Sequence, residues 1–439
     1  MIEINELKLR IEPVEARNIV RRHTDDFGVF FDLDRVSEHL FMFDMTHNQL
    51  LAKLRAFTGD SKIKFNSSED LIKFASRYLS IPSYNLIDKG SRKPAFNKVV
   101  RKRIQDDPNM NQDQKAFAKL VDLGAYNGYM CGYLKQYLNL PLCNGTDSKG
   151  HRMVVGHPNW EMLATSRISA SNPSIQNINE AVKDIITTPA GYKIMRVDSD
   201  QIEPRINYSF FIRDELIMNL IKMYNDAYFG IYHFVSMTDE EEIKARADFS
   251  TVKKHTITPE LKEQRSTIKT LTNAANYGSS DLGKVDPALA ASYDKRIVNN
   301  PARIKFEQDV REQVARGADR FYGAFGSEVV PDTTQKYKDK NSNSWKEHLI
   351  RCGVNNPVQT TASELMSFSV YEADKILKGT RSYICYYKHD EACFYIHEDE
   401  YDMLEPQLND ITAYKVLDWI PITAGAEYGI YHSDRRHFV

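Results

Sequence analysis

The chain has 439 residues, 42% of them apolar and 27% charged, and its 58 Lys+Arg against 60 Asp+Glu leave a formal charge of −2. That balance excludes a disordered polyelectrolyte, and no uncharged apolar run approaches the ~18 residues that cross a bilayer. The five cysteines include no C-x-x-C pair, which argues against a disulfide framework or a structural zinc site.

At roughly 150 residues per domain, the length suggests about three structural units. The opening MIEINELKLRIEP lacks the basic-then-apolar pattern of a signal peptide, so a soluble, cytoplasmic chain without a membrane partner is expected. Residues 1–88 read mainly as helices. Pro13 suits a first helical position, Asp34 to Leu54 carries apolar residues at helical spacing, and residues 66–70 read as a cap with acids in the first turn. From Lys89 to Arg103 (KGSRKPAFNKVVRKR) there are seven basic residues and no acid, a solvated face or a sequence-blind phosphate track. Residues 109–140 read as helix and Gly145–His157 as a polar connector.

Beyond Gly191 the pattern changes. YKIMRVDSD reads as a strand and QIEPRINYSFF as the helix after it. A long helical stretch is expected from Asp214 to about Ala318, interrupted by the acidic run 239–242 and by Gly278-Ser279-Ser280, then a polar loop over 332–347, then a helix opened by Pro357. Ser382–Lys388 and Ala392–His397 read as strands of a hairpin around His389-Asp390-Glu391. The fold class expected is α+β.

Asp198 closes a strand and Asp390 sits in the hairpin turn. Two carboxylates meeting at a sheet edge repel unless a cation lies between them. Oxygen-only ligation without a His or Cys cluster suits Mg²⁺, and a pair of such ions can clamp both oxygens of an in-line displacement. Arg265 and Lys269 stand at i and i+4 on one helix face, with Tyr277 eight residues beyond Lys269. Such a face suits a triphosphate and a flat base, although a solvated basic face has the same spacing.

These motifs together resemble the family A, polymerase I-like, DNA polymerases. Asp198-Ser-Asp-Gln201-Ile202-Glu203-Pro-Arg205 is similar to the first palm motif D-x-x-Q-I-E-x-R. Arg265-x3-Lys269-x7-Tyr277-Gly278 is similar to the fingers-helix motif, and His389-Asp390-Glu391 to the third motif. Arg167-Ile-Ser-Ala-Ser-Asn-Pro173-Ser-Ile-Gln176-Asn177-Ile178 resembles the segment before the palm. Arg351-x3-Asn355-x-Pro357-x-Gln359 resembles the segment that meets the primer–template minor groove. IEPVEARNIVRRHTDDFGVFFD resembles the approach to the thumb, so the likeness spans roughly residues 10–439.

The resemblance implies a right-hand polymerase fold: a lead-in (1–26), thumb (27–165), palm (166–211 and 345–439) with an antiparallel sheet, and fingers (212–344). It implies a DNA-directed DNA polymerase, a nucleotidyltransferase that extends a primer 3′ end with deoxynucleotides by two-metal-ion chemistry. Two Mg²⁺ ions, with Mn²⁺ as a substitute, would sit on Asp198, Asp390 and the Ser199 carbonyl, with Glu391 accessory. Gln201 and Glu203 would line the nucleotide's sugar, Glu203 filling the space of a 2′-hydroxyl. Arg265 and Lys269 would hold the triphosphate, with Lys269 as proton donor to the leaving group, and Tyr277 would stack near the new pair. His233 in FGIYH matches the family's D-I-H at its last residue and would touch phosphate. Arg351, Asn355 and Gln359 would donate to minor-groove acceptors, which check geometry without reading sequence. His389 would touch the primer terminus, Arg167, Gln176 and Asn177 the duplex, and Lys98, Arg101, Lys102 and Arg103 the phosphate backbone.

Two residues depart from the family pattern: Asn273 replaces an aromatic residue, and Pro204 replaces a Leu. Only about 26 residues precede Phe27-Gly28-Val29, too few for a nuclease domain, so no proofreading is expected. A separate exonuclease, helicase or processivity factor would then be a partner. The short length suits a viral or plasmid-like gene, and a viral origin would place the protein in a host's cytoplasm. A metal-dependent nuclease would need paired acids but not the Arg265/Lys269/Tyr277 helix. A non-catalytic DNA-binding subunit would not need to keep Asp198 and Asp390.

Overall fold

The computed structural model describes residues 2–4, 13–88, 91–163, 165–277, 286–329, 331, 342–388, 390–416, 422–431 and 436–437. Helices and strands alternate through the chain, and the mixed α+β class holds. The chain divides into two units. One comprises residues 30–156 with 181–189, and the other residues 1–29, 157–180 and 190–439.

The smaller unit is built on two long helices, Leu33–Thr58 and Gln112–Lys135, that pack on each other. Asp32 caps the first by accepting from Arg35 N, and Asn111 and Gln114 form a capping box on the second. Aromatic packing fills the interior, with Phe117 between Phe57, Phe74 and Phe96. The stretch 145–157, expected as a connector, instead supplies a strand (Arg152–Gly156) paired with Leu142–Thr146. Met153 and Val154 are its buried anchors, and their short apolar run was too brief to register beside the polar residues around it.

The larger unit is organised on a five-stranded antiparallel sheet in the order Tyr383–Lys388, Glu391–His397, Tyr192–Ser199, Ala424–Gly429, Arg436–His437. The hairpin around residue 390 forms as expected, with Lys388 paired to Glu391. Its strands are buried almost end to end, which explains their near-continuous apolar and aromatic sequence. The helix Asn343–Leu377 packs against this sheet. Pro357 lies inside that helix rather than opening it. The helix begins fourteen residues earlier, at Asn343, where Ser342 accepts from Trp345 N. Small and hydroxylic residues let it approach closely: Ser363 donates to Ser166 O at 2.6 Å, and Ser369 to Ile411 O at 2.7 Å. Residues 342–347, expected as loop, belong to this capped start, and 332–341 lie outside the described residues.

The stretch from Asp214 to Ala318 is, among the described residues, a series of separate helices, and the acidic run 239–242 opens one of them rather than interrupting it, while 278–280 lie outside the described residues. Leu216, Leu220, Ile231, Phe234, Ile268 and Leu271 form their shared core. Pro204 sits inside the short helix Ile202–Ile206, where first-turn N–H groups have no partner, and a π-helical turn follows over Asn207–Ile212.

Two glycines of the helix Gln112–Lys135 give opposite expectations. A Cβ on Gly124 would lie 2.1 Å from Phe65 Cζ, whereas one on Gly132 meets nothing within 4 Å. Gly124→Ala should destabilise by about 1–3 kcal/mol through overpacking, and Gly132→Ala should stabilise by roughly 0.5–1 kcal/mol. Thermal unfolding checks both, and equal melting temperatures for the two variants would contradict the packing described.

Candidate active site

The sheet fixes the two acids by register. Asp198 pairs with Glu391 across adjacent antiparallel strands, and Ser199 N donates to Asp390 O at 2.9 Å. The Asp390 side chain therefore leaves the turn beside the end of the Asp198 strand. Ser199 is fully buried and its Oγ donates to Thr412 O. Asp200 is held by Thr423, through N–H to O at 2.7 Å and Oγ1 to Oδ2 at 2.7 Å.

A cleft of about 540 Å³ opens here, lined among others by Arg167, Asp198, Gln201, Glu203, Tyr228, Arg265, Lys269, Asn273 and Asp390. That volume lies in the range of about 300–1,000 Å³ usual for small-ligand sites. Its second wall is the helix Pro259–Tyr277, whose Ile268 and Leu271 are buried while Arg265, Lys269 and Asn273 recur every four residues on the cleft side.

Three of the charged residues that line the cleft are ion-paired. Arg167 is ion-paired with Glu203. Arg265 donates to Asp226 Oδ2 at 2.9 Å, and Gln201 Nε2 donates to the same oxygen at 2.8 Å. Asp226 also caps the helix Ala227–Ser236 by accepting from Phe229 N, and so ties three segments together. Among the described residues, no salt bridge reaches Asp198, Asp390 or Lys269. Partial desolvation, then the charges of Asp390, Glu391, Asp200 and Glu427, raise the Asp198 carboxyl to about 7, although its tip faces the open cleft. Burial, with Glu203 and Glu391 adding and Arg167 opposing, raises Asp390 to about 6. Two crowded carboxylates that lack an ion pair among the described residues, offering only oxygen, fit a hard divalent cation.

Several candidates lie elsewhere. His233 does not line this cleft. Its ring stacks on His255 at 4.0 Å and its Nδ1 lies 2.9 Å from Tyr224 Oη, facing a separate pocket with Lys244 and Lys253. Burial, then His255, lowers it to about 4. Gln176 is buried and spends its amide on Ala170 N, Ile168 O and Tyr387 O, so it braces the sheet. Arg101 is buried, bonded to Asp122 and Phe96 O, because Val100 and Ile104 beside it turn that helix face inward. Arg103 donates to Ile87 O at 2.9 Å, while Lys98 and Lys102 are exposed. Glu391 accepts from Tyr386 Oη at 2.8 Å and does not line the cleft. Arg351 and Asn177 are exposed, and Asn355 and Gln359 line a small pocket with Glu203. The Tyr277 side chain and His389 lie outside the described residues.

Asp226, Tyr228 and Asp200 line or brace the cleft without having been singled out by motif. Asp226 carried only the generic signal of an N-cap before an apolar run. In the smaller unit, Asp32, Asp147 and His151 bring three potential ligand atoms within 4.8 Å. Those atoms are already engaged: Asp32 accepts from Arg35 N and faces His151 Nδ1 at 2.7 Å, and Asp147 accepts from Lys149 N, His151 N and Thr187 Oγ1. This group is cap and turn chemistry.

The sequence pattern that defines DNA polymerase family A matches residues 35–432. The chain belongs to DNA polymerase family A. Over 253 residues, 54% of the chain, it is 23% identical to DNA polymerase I of Pseudomonas aeruginosa, and over 256 residues, 55% of the chain, 22% identical to the thermostable DNA polymerase I of Thermus filiformis. The matched stretches are 25% and 28% of those proteins, so this family A chain corresponds to a minor part of its curated relatives. Its fold matches the polymerase domain of Pol1 from M. smegmatis, solved with primer–template DNA and dNTP, at a TM-score of 0.74 and 19% identity, over 96% of this chain and 70% of that one.

The crowded acids carry a pH signature. Asp198 titrates near 7 when folded against about 3.9 unfolded. A raised carboxyl stabilises the fold below the unfolded value, and that stability is lost as pH rises toward 7. Without divalent cations, Asp198→Asn should therefore be more stable than wild type at pH 8, on the order of 1 kcal/mol after discounting for solvent at the exposed tip. The difference should shrink toward pH 4. A variant no more stable at pH 8 would exclude the repulsion.

Proposed function

We propose that the chain catalyses template-directed transfer of deoxynucleotides to a primer 3′-hydroxyl, with release of pyrophosphate. The observation that carries this reading is the opposition of two unneutralised carboxylates, Asp198 and Asp390, to the cationic helix face of Arg265 and Lys269 across one cleft. A nuclease would need the acids but has no use for that helix face.

Asp198 and Asp390, with the Ser199 carbonyl between them in the chain, would hold two Mg²⁺ ions, with Mn²⁺ as a substitute. When bound, such ions lower the pKa of the attacking hydroxyl and stabilise the charge on the leaving phosphates. Arg265 and Lys269 would grip the triphosphate, and Lys269, free of any ion pair among the described residues, would give its proton to the pyrophosphate oxygen. Arg265 is held by Asp226 and so is already oriented for this role. Glu203, fixed by Arg167, would close the space beside the sugar's C2′. Arg351, Asn355 and Gln359 recur at four-residue spacing on the helix Asn343–Leu377 and would present donors to the minor groove, while Asn177 would contact the duplex and His389 the primer terminus. Exposed Lys98 and Lys102 would contact phosphates of the duplex. Primer–template DNA and deoxynucleoside triphosphates are the proposed partners.

Primer extension tests the reading. Asp198→Asn and Asp390→Asn should each lower the rate by more than ~10³-fold, over 4 kcal/mol of barrier, while duplex affinity stays near wild type. Extension within tenfold of wild type in either variant would remove that acid from the chemistry.

Sugar selection gives a second test. Glu203→Ala should raise kcat/KM for ribonucleotides relative to deoxynucleotides by on the order of tenfold, since a steric gate acts against the wrong substrate. An unchanged ratio would assign Glu203 to bracing Arg167 alone.

A further inference from the structure

A second pocket, of about 460 Å³, lies in the larger unit apart from the cleft, with which it shares no lining residue. Three segments build it. His233 comes from the last turn of the helix Ala227–Ser236, Lys244 from the helix Asp239–Ala247, and Lys253 and His255 from the stretch after the turn Phe249–Thr251. One helix serves both cavities. Tyr228 and His233 are five residues apart, about 140° around the axis at 3.6 residues per turn, so the first lines the cleft and the second the pocket.

The pocket holds a buried donor and two cations that nothing nearby uses. His233 is 6% exposed. Tyr224 Oη accepts from His255 N at 2.8 Å, which leaves the phenol's own hydrogen for His233 Nδ1 at 2.9 Å. That arrangement puts the ring's proton on Nε2, which has no hydrogen-bond partner among the described residues. The His255 ring, stacked at 4.0 Å, fixes the imidazole plane. Lys244 and Lys253 are exposed, and neither forms an ion pair among the described residues. Glu241, the acid in the lining, is spent on its own helix, where it accepts from Thr238 N at 2.7 Å in a capping box. A metal would need a third ligand close to the two imidazoles, and among the described residues the one group of three lies in the other unit.

We propose that this pocket binds a phosphate group, with Lys244 and Lys253 supplying charge and His233 Nε2 a directed hydrogen bond. Phosphate oxygens accept from both donor types at once, and the charge-assisted contacts are the strong ones. Met237 and Val252, also in the lining, offer apolar surface to the carrier of the phosphate, and the volume suits more than a bare ion. A free nucleotide and a DNA strand present the same oxygens, so the chemistry is common to both. The site does not depend on the polymerase reading above.

Titration calorimetry in EDTA, where no divalent cation can bridge a phosphate to the cleft, tests the proposal. The probes are inorganic phosphate, dAMP, deoxyadenosine and a short oligothymidylate without a terminal phosphate. Inorganic phosphate and dAMP should bind and displace each other, and deoxyadenosine should not bind. Lys244→Ala with Lys253→Ala should raise the dAMP Kd by about tenfold and His233→Phe by about fivefold, as expected for charge-assisted contacts. Lys269→Ala, in the cleft, should leave it unchanged. Binding of the oligothymidylate alone, with the same dependence on the lysine pair, would uphold the phosphate site and make a DNA strand its source. Equal binding of dAMP and deoxyadenosine, an unchanged Kd in the lysine-pair variant, loss of binding in Lys269→Ala, or no binding by any probe would each overturn the proposal. Both lysines are exposed, so their variant should melt with the wild type, and it decides alone where His233→Phe does not fold. Primer extension plays no part in these readouts, so a failure of the polymerase reading would be seen separately.

Discussion

Two carboxylates held side by side, neither of them ion-paired among the described residues, are the constraint on which the site depends. Asp198 ends a central strand and Asp390 occupies the turn of the neighbouring hairpin, so antiparallel register alone brings them together. Repulsion between them is a cost that the surrounding fold must carry. It does so by burying the flanking strands, seating Ser199 against Thr412, and bracing Asp200 on Thr423. A site arranged this way is unfavourable alone and would become favourable with cations and a polyanion in place, the electrostatic logic of the proposed phosphoryl transfer.

The opposite wall is organised around Asp226. One carboxylate caps a helix, orients Arg265 and receives the Gln201 amide. With Asp226 satisfying Arg265 and Glu203 satisfying Arg167, Lys269 has no ion pair among the described residues and shares the cleft with the acids. Among the described residues, the acids without an ion pair and the lysine without one thus lie on different walls of the cleft. A triphosphate bridging them would complete both.

What could be read in the sequence was whatever local pattern dictates. The strand ending at Asp198, the hairpin around Asp390 and the four-residue recurrence of Arg265, Lys269 and Asn273 follow from alternation and helical period, and all meet in the cleft. The misreadings came where neighbours in space outweigh neighbours in sequence. Arg101 belongs to a basic run, but Val100 and Ile104 decide which face of its helix turns inward. Gln176 carries a motif position and yet is consumed by three backbone partners from two segments. His233 matched a single letter of a motif, and its helix turns that face toward Tyr224 and His255. Tyr228 gave no signal at all, since an aromatic residue in an apolar helix is ordinarily core, and here it is core and cleft wall at once. Pro357 shows the same effect at the level of elements: thirty-five residues of helix, packed along much of their length, absorb one proline.

Proton release on divalent-cation binding measures the state of the two acids most directly. With Asp198 titrating near 7 and Asp390 near 6, the metal-free site retains protons at pH 6.5 that a bound cation must displace. Titration calorimetry with Mn²⁺ at pH 6.5, in two buffers of different ionisation enthalpy, counts them. Net release is expected from the wild-type protein, falling toward zero at pH 8.5 and greatly reduced in Asp198→Asn. Binding to the wild type at pH 6.5 without proton release would contradict the picture of two crowded carboxylates awaiting a cation.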